Sequence, residues 1–386
     1  MNIIRFVKEI LLKIKRRIKE NSFDNVFWIV NAIPTLAGFS LKKDTTRVPF
    51  WIIHVSLLTY VYGVGTVVYQ VKYAQQISDY IKSFVNVSLF VLIAVNTYWF
   101  LAQRRLLRMI LKNVEKSDML SKSSSVFKKK NEKMLSVIKY IVLIFYGANY
   151  FNAATIYLPN RINVLDNSYS MQPCVGLEPL TSSPNREICM TILCLQEFSI
   201  MTVALNFQAL LILLIAHTAS MYRLLSDEIM LFVSMDDSNV EAKRKLPLLI
   251  NRHVLILDTT NKLKLIYSMP IGVNWGSNAV CICLMLFLPY EYYITYSPIT
   301  IYCFLTFFLY CFLCQRLINA SEEFERAVYS CAWENFDLKE KKSIYIMLLQ
   351  AQKPVLLLAA DIIPVNMYTF ASTIRGIYQF VTVVKL

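Results

Sequence analysis

The chain has 386 residues, 56% of them hydrophobic and only 17% charged, with a formal net charge of +14. Soluble domains run at about 45–50% apolar with roughly a quarter charged, so this balance excludes an ordinary water-soluble domain. With 23 tyrosines and 23 phenylalanines against 8 glycines, it equally excludes a disordered or linker-like chain.

In chain order, residues 3–18 place Ile3, Val7, Ile10, Ile14 and Ile18 at helical spacing with lysines and arginines between them. The pattern fits a basic amphipathic helix on the cytoplasmic leaflet, or an ordinary packed helix. The basic start (Lys13, Lys15, Arg16, Arg17, Lys19) is not followed by a clean apolar core and a small-residue cleavage site, so insertion is expected to rely on the first true span. Val26 to Phe39 is a weaker apolar stretch, broken by Asn31, Pro34 and Gly38 and flanked on both sides by basic clusters. A crossing there would carry one cluster outside, which predicts an interfacial or re-entrant element.

A helical span needs roughly 20 mostly apolar residues. Segments 48–70, 83–101, 135–158, 190–217, 266–289, 297–318 and 363–386 meet that need, separated by polar segments at 102–134, 159–189, 218–265 and 319–343. Lysine and arginine are distributed unevenly among the connections. The first 47 residues hold ten, segment 102–134 holds ten, 218–265 holds seven, and Arg316 to Lys342 holds five. The alternate connections hold only Lys72 and Lys82, then Arg161 and Arg186. The positive-inside rule places the N-terminus in the cytoplasm, and seven crossings leave Leu386 outside. The +14 charge thus matches anionic inner-leaflet lipid as a partner rather than nucleic acid.

Catalytic and metal signatures are weak. H-E-x-x-H, G-x-S-x-G, P-loop and paired-carboxylate patterns are missing from the sequence, and His54, His217 and His253 are far apart. No cofactor or enzymatic activity is expected. The C-x-x-C of Cys311 and Cys314 lies in an apolar run where thiols pack more readily than they bind metal. Cys174 and Cys189 share one polar loop, where a disulfide is open to them if the loop is extracellular. Glu197 and Asp361 lie near predicted span ends, where solvation or helix capping would account for them. Two rival classes fit the topology poorly. A G-protein-coupled chemoreceptor keeps its N-terminus outside, and a small-molecule transporter would show internal repeats that this chain lacks.

The C-terminal seventy residues carry a recognisable pattern: Ala327-Val328-Tyr329 and Trp333, then Gln352-Lys353-Pro354, Leu357, Ala359, Pro364, Thr369-Phe370, Ser372, Arg375 and Tyr378. In order, spacing and position this resembles the insect odorant receptor family. Departures are Ala360 and Asp361, where the family usually has glycine and often lysine, and Tyr378-Gln379-Phe380, where it has Tyr-Ser-Tyr/Phe. The Thr-Tyr…Gln-Phe ending of the sister gustatory receptors is absent in that form. Segment 218–265 lacks the long insertion of the family's shared co-receptor, so the chain resembles a ligand-selective subunit.

The resemblance implies an all-α membrane protein of seven transmembrane helices, acting as one subunit of a tetrameric odorant-gated non-selective cation channel. Its partners would be a volatile odorant and co-receptor subunits, in the plasma membrane of an olfactory neuron dendrite. Residues 1–47 would be a cytoplasmic or interfacial segment, and 48–318 six helices with an odorant pocket in their outer half. Residues 319–362 would form a cytoplasmic anchor and 363–386 the pore-lining helix. Pro354 and Pro364 suit this division, with the final helix starting at Pro364 and Asp361 capping it. Tyr378, Val381 and Lys385 share one face near its outer end (i, i+3, i+7), and by alignment Val381 takes the hydrophobic gate position. Packing against a neighbour is the alternative for that face. For the pocket, the outer halves offer Phe84, Val87, Ser88 and Val91 on the second helix and Tyr146, Asn149 and Tyr150 on the third. The fourth adds Ile192, Gln196 and Ser199, and the sixth Tyr302 and Leu305. An aromatic content of 13% would supply a similar set from any outer half.

Overall fold

The computed structural model describes residues 15–17, 19–37, 40–41, 48–121, 125–157, 174–180, 182–234, 239–331 and 333–385. The expected helix over residues 3–18 falls almost wholly outside them. The first long element, α1 (Phe23–Ala37), has 15 residues and is therefore about 22 Å long, short of the ~30 Å hydrocarbon core. It buries Phe23, Val26, Phe27, Val30 and Pro34 on one side, as an element lying along the bundle would.

Six helices are long and apolar enough to cross a membrane, among the described residues. They are α2 (Val48–Lys72), α3 (Ile77–Ala102), α5 (Ser125–Asn152, prolonged by a π-helical turn at Ala153–Tyr157), α6, α7 (Asn239–Phe287) and α8 (Tyr290–Tyr329). Helix α6 joins Asn185–Ile200, a π-helical turn at Met201–Leu205, and Asn206–Ser234. Each of the seven expected spans lies on one of these or on the final helix. The helices overrun the spans on the basic side. At 49 residues α7 is about 74 Å long, more than twice the hydrocarbon thickness, so much of segment 218–265 is helix continuous with the span. Likewise α8 passes through residues 318 and 319 without a break. Helix α4 (Arg104–Ser121) packs here too, turning Leu107, Ile110, Leu111 and Val114 inward and its arginines and lysines outward.

Helix α6 is the axis of the bundle. Every residue from 202 to 219 is buried, because helices surround it on all sides. An apolar side chain gains nothing by facing helix rather than lipid tails, so close packing and buried hydrogen bonds hold such helices together. His54 of α2 bridges Ser199 of α6 at 3.1 Å and Thr97 of α3 at 3.0 Å. Toward the basic end Arg252 of α7 pairs with Glu228 of α6, both largely buried, and also reaches Ser121 of α4 at 3.2 Å. Cys311 and Cys314 are free thiols packed in the central core.

After α9 (Leu338–Ala351) the chain forms a miniature antiparallel hairpin, β1 (Leu358–Ala359) with β2 (Ile363–Pro364). Only then does α10 (Met367–Lys385) begin. The start expected at Pro364 is thus displaced by three residues. The cause is the turn: Ala360 and Asp361 have φ of 51° and 59°, the paired left-handed conformation of a tight hairpin, which cannot enter a helix. Asp361 is therefore not the cap. Asn366 is, its Oδ1 accepting the Thr369 N–H at 2.8 Å. The hairpin docks on α7. Ala360 N–H donates to the Ser268 carbonyl at 2.9 Å and Asp361 N–H to Ser268 Oγ at 2.7 Å. Gly272, one turn on, allows the approach, because a Cβ there would lie 2.8 Å from the Ala360 nitrogen.

Candidate functional site

At the end of the bundle opposite the basic segments lies a cavity of ≈ 80 Å³, measured to the centre of a water-sized molecule. Six helices wall it. Tyr62 comes from α2, Leu89, Leu92 and Ile93 from α3, and Asn149 and Asn152 from α5. Helix α6 supplies Glu197, Met201, Ala204 and Gln208, α7 supplies Ser277, Asn278 and Cys281, and α8 supplies Ile299, Tyr302 and Cys303. The three π-helical turns among the described residues all abut it: Tyr62 lies within the first, Asn152 immediately precedes the second, and Met201 and Ala204 lie in the third. A π turn widens the helix locally and re-aims its side chains, and such turns recur at functional sites.

A loop closes the outer end. Cys174 and Cys189 form a disulfide over a separation of 15 residues. The loop between them packs Leu177 and Leu180 onto a cluster that shares Tyr62, Ile93 and Ala204 with the cavity wall. Tyr60 Oη donates to the Val175 carbonyl at 2.8 Å, and Tyr73 Oη to Glu178 at 2.6 Å.

Of the pocket residues expected from sequence, Asn149 and Tyr302 line the cavity. Ser88 stands one contact behind it, its Oγ 2.7 Å from that of Ser277. Phe84, Val87 and Val91 are exposed on the far side of α3, and Leu305 is exposed on α8. Tyr146 is buried and donates to Asn206 Oδ1 at 2.6 Å, while the more exposed Tyr150 stacks against it. Gln196 and Ser199 are buried, the latter held by His54, and Ile192 packs in the cluster around the disulfide. Glu197, expected near a span end, lies well inside α6 and faces the cavity, because that helix begins at Asn185.

Sequence reading missed Leu89, Leu92 and Ile93 because α3 is apolar on all sides. A usable signal was present. Ser83, Asn86, Asn96 and Thr97 are all buried, and in a lipid-facing helix polar side chains mark the inward side.

Helix α10 lies against α7 and α8. Phe370 packs among Phe304, Phe307 and Phe308, with ring centroids 5.0–5.5 Å apart. Ile374 and Ile377 pack onto a cluster containing Val85, Cys281 and Ile299. Val381 continues that packed stripe and is only 9% exposed, whereas Tyr378 is 69% exposed. The backbone of Lys385 ends the helix, and its side chain lies outside the described residues. The outward side of α10 carries a stripe of Tyr368, Ser372, Arg375 and Gln379, flanked toward its C-terminal end by exposed Phe380, Val383 and Val384.

Hydrogen bonds run from the cavity to the part of α7 that seats the hairpin. Tyr302 Oη donates to Gln208 Oε1 at 3.3 Å, Gln208 Nε2 to Asn274 Oδ1 at 2.9 Å, and Asn274 Nδ2 to the Pro270 carbonyl at 2.9 Å. Pro270 lies between Ser268 and Gly272, the two residues on which the hairpin rests.

The family model for the 7tm odorant receptors matches residues 73–378. Odorant receptor 67a of Drosophila melanogaster is 30% identical over 147 residues, 37% of this chain and 36% of its own length. Odorant receptor 19a of the same fly is 30% identical over 77 residues, 20% of each chain. The alignments thus span about a third or less of these relatives. In three dimensions the chain is similar to the insect olfactory receptor OR5 from Machilis hrabei, solved in complex with eugenol. The TM-score is 0.75 at 15% identity, covering 92% of this chain and 96% of that one. A second structure of OR5 from Machilis hrabei gives a TM-score of 0.72 at 16% identity, over 92% and 97%. That likeness establishes the multi-pass helical fold, and with a family model running through well over half of the sequence, this chain belongs to the 7tm odorant receptor family.

Proposed function

We propose that the chain is the ligand-selective subunit of an odorant-gated cation channel, assembled as a tetramer with co-receptor subunits in the plasma membrane of an olfactory neuron. One observation carries this reading: a cavity walled by six helices is joined by hydrogen bonds to the turn of α7 on which the hairpin before α10 rests. The OR5 structure, with its small aromatic ligand eugenol, supports a compact and largely apolar volatile as the occupant. A ligand that repositions Tyr302 or Gln208 acts on Asn274 and on the backbone at Pro270, and so on the seat of the hairpin.

Helix α10 is the pore element of this proposal. A stripe of Ser372, Arg375 and Gln379 is turned away from its own protomer, and such a stripe is stable against water or other subunits rather than acyl chains. The long basic-side extensions of α6, α7 and α8, with α9 against them, serve as the anchor. The gate lies at the outer turns of α10 among Tyr378, Val381 and Lys385. Because Val381 is packed within its protomer in this conformation, it enters the pore only when α10 turns about its axis.

The test is whole-cell current from cells expressing this chain with an insect co-receptor, challenged with a broad volatile panel. A fast cation current whose ligand profile changes with this chain is expected. A surface-expressed complex that stays silent to the whole panel would overturn the proposal. Cysteine at position 379 should be modified by a pore-entering thiol reagent without ligand, and cysteine at 381 only with ligand present. Equal reactivity of both at rest would remove Val381 from a moving gate.

A further inference from the structure

The amide side chains of the cavity wall divide into those already engaged and those with an open group. Gln208 is held on both sides by Tyr302 and Asn274, the Asn149 amide donates to the Phe145 carbonyl, and Ser277 is paired with Ser88. Asn278 and Asn152 differ. Asn278 is 5% exposed and its Nδ2 has no hydrogen-bond partner among the described residues; Asn152 is 7% exposed and its Oδ1 has none either. Both side chains line this cavity, from α7 and α5. A buried amide group left unmet costs about 1–3 kcal/mol, so an occupant that satisfies both gains affinity that a hydrocarbon forfeits. When water fills the cavity it meets both needs, and a ligand displaces such water without loss only by reproducing its hydrogen bonds.

The cavity lining thus offers an open donor from α7 and an open acceptor from α5, amid Leu89, Leu92, Ile93 and Ile299. A hydroxyl both donates and accepts, so one such group can accept from Asn278 Nδ2 and donate to Asn152 Oδ1. A ketone or ether oxygen only accepts. We propose that the cavity selects odorants bearing a hydroxyl on a small apolar body, with Asn152 and Asn278 as the residues that read it. This rests on the cavity being the odorant site.

The experiment compares ligands of one six-carbon skeleton, the 2-alcohol, the 2-ketone, the 2-amine and the plain hydrocarbon, on the complex with co-receptor. It uses two readouts: current, and thermal stabilisation of the purified complex. The alcohol should act at concentrations about tenfold lower than the ketone and hydrocarbon, equivalent to about 1.4 kcal/mol. Asn278→Leu and Asn152→Leu should each abolish that advantage and strengthen the hydrocarbon response, because the amide that a hydrocarbon leaves unmet is gone; surface expression and the thermal stability of the ligand-free complex report that the variants fold. A ketone or hydrocarbon as potent as the alcohol would overturn the proposal. So would an equal loss for all ligands in both variants. An amine that outperforms the alcohol would overturn it in favour of Glu197 as the reading group. Alcohol-specific stabilisation without current would retain the hydroxyl site and sink the channel reading instead, whereas current from other odorants with no alcohol preference would do the reverse.

Discussion

Replacing Gly272 with alanine tests the seat of the hairpin directly. The added methyl would stand 2.8 Å from the Ala360 nitrogen and 3.0 Å from its Cβ, and the obstacle is backbone rather than a flexible side-chain tip. Reaching the 3.4 Å of ordinary contact requires a retreat of 0.6 Å (3.4 less 2.8). The two hydrogen bonds to Ser268, at 2.9 and 2.7 Å, would then stretch beyond the usual range. Overpacking costs about 1–3 kcal/mol and each lost bond about 0.5–1.5, against a gain of about 1 kcal/mol for alanine over glycine in a helix. The expected net effect is about 1–5 kcal/mol of destabilisation. Gly276, one turn further along α7, has nothing within 4 Å of its would-be Cβ, so Gly276→Ala should gain by propensity alone. Thermal unfolding of the detergent-solubilised complex should therefore move in opposite directions for the two variants. Concentration–response curves for one activating odorant should shift only for Gly272→Ala. If both glycines accept alanine with equal gain, the hairpin does not rest on α7 as described, and its role in aiming α10 falls with it.

Three further outcomes are expected. Arg252→Met leaves Glu228 buried without its partner and should cost about 3–5 kcal/mol, read as lost surface expression and early unfolding; Arg252→Met combined with Glu228→Gln should recover part of it. Cys189→Ser opens a loop closed over 15 residues, worth about 3 kcal/mol, and should render residues 174–184 sensitive to protease, as reductant should in the parent chain. Ala360→Gly removes the strain of an alanine at φ 51° and should stabilise the complex by about 1 kcal/mol, with no loss of ligand response.

How much was legible in the sequence differs between spans and surfaces. Runs of about twenty apolar residues and the uneven lysines located the helices, because both signals answer to the bilayer itself. The inward side of each helix was far less visible. Phe84, Val87 and Val91 face outward while Leu89, Leu92 and Ile93 face the cavity, and their chemistry is the same on both sides. Proline alone misplaced the last helix, since the start is set by two left-handed residues and by Asn366, which no run of hydrophobicity reveals. The π turns were likewise unreadable, because each depends on how neighbouring helices crowd α2, α5 and α6.

The polar stripe on the outer side of α10 has a consequence for how the protein is made. An arginine at the centre of a membrane helix costs about 2.5–3.5 kcal/mol when it must be inserted into lipid, and Arg375 sits midway along α10 with Ser372 and Gln379 beside it. In the assembly proposed above, a newly synthesised protomer therefore emerges with a C-terminal helix that the bilayer receives poorly until other subunits cover it. Its final step of biogenesis is expected to be conditional on encounter: subunits made in excess of their partners should remain in the compartment of synthesis and be degraded there. Cell-surface abundance would then be set by the scarcer subunit rather than by the expression of this one.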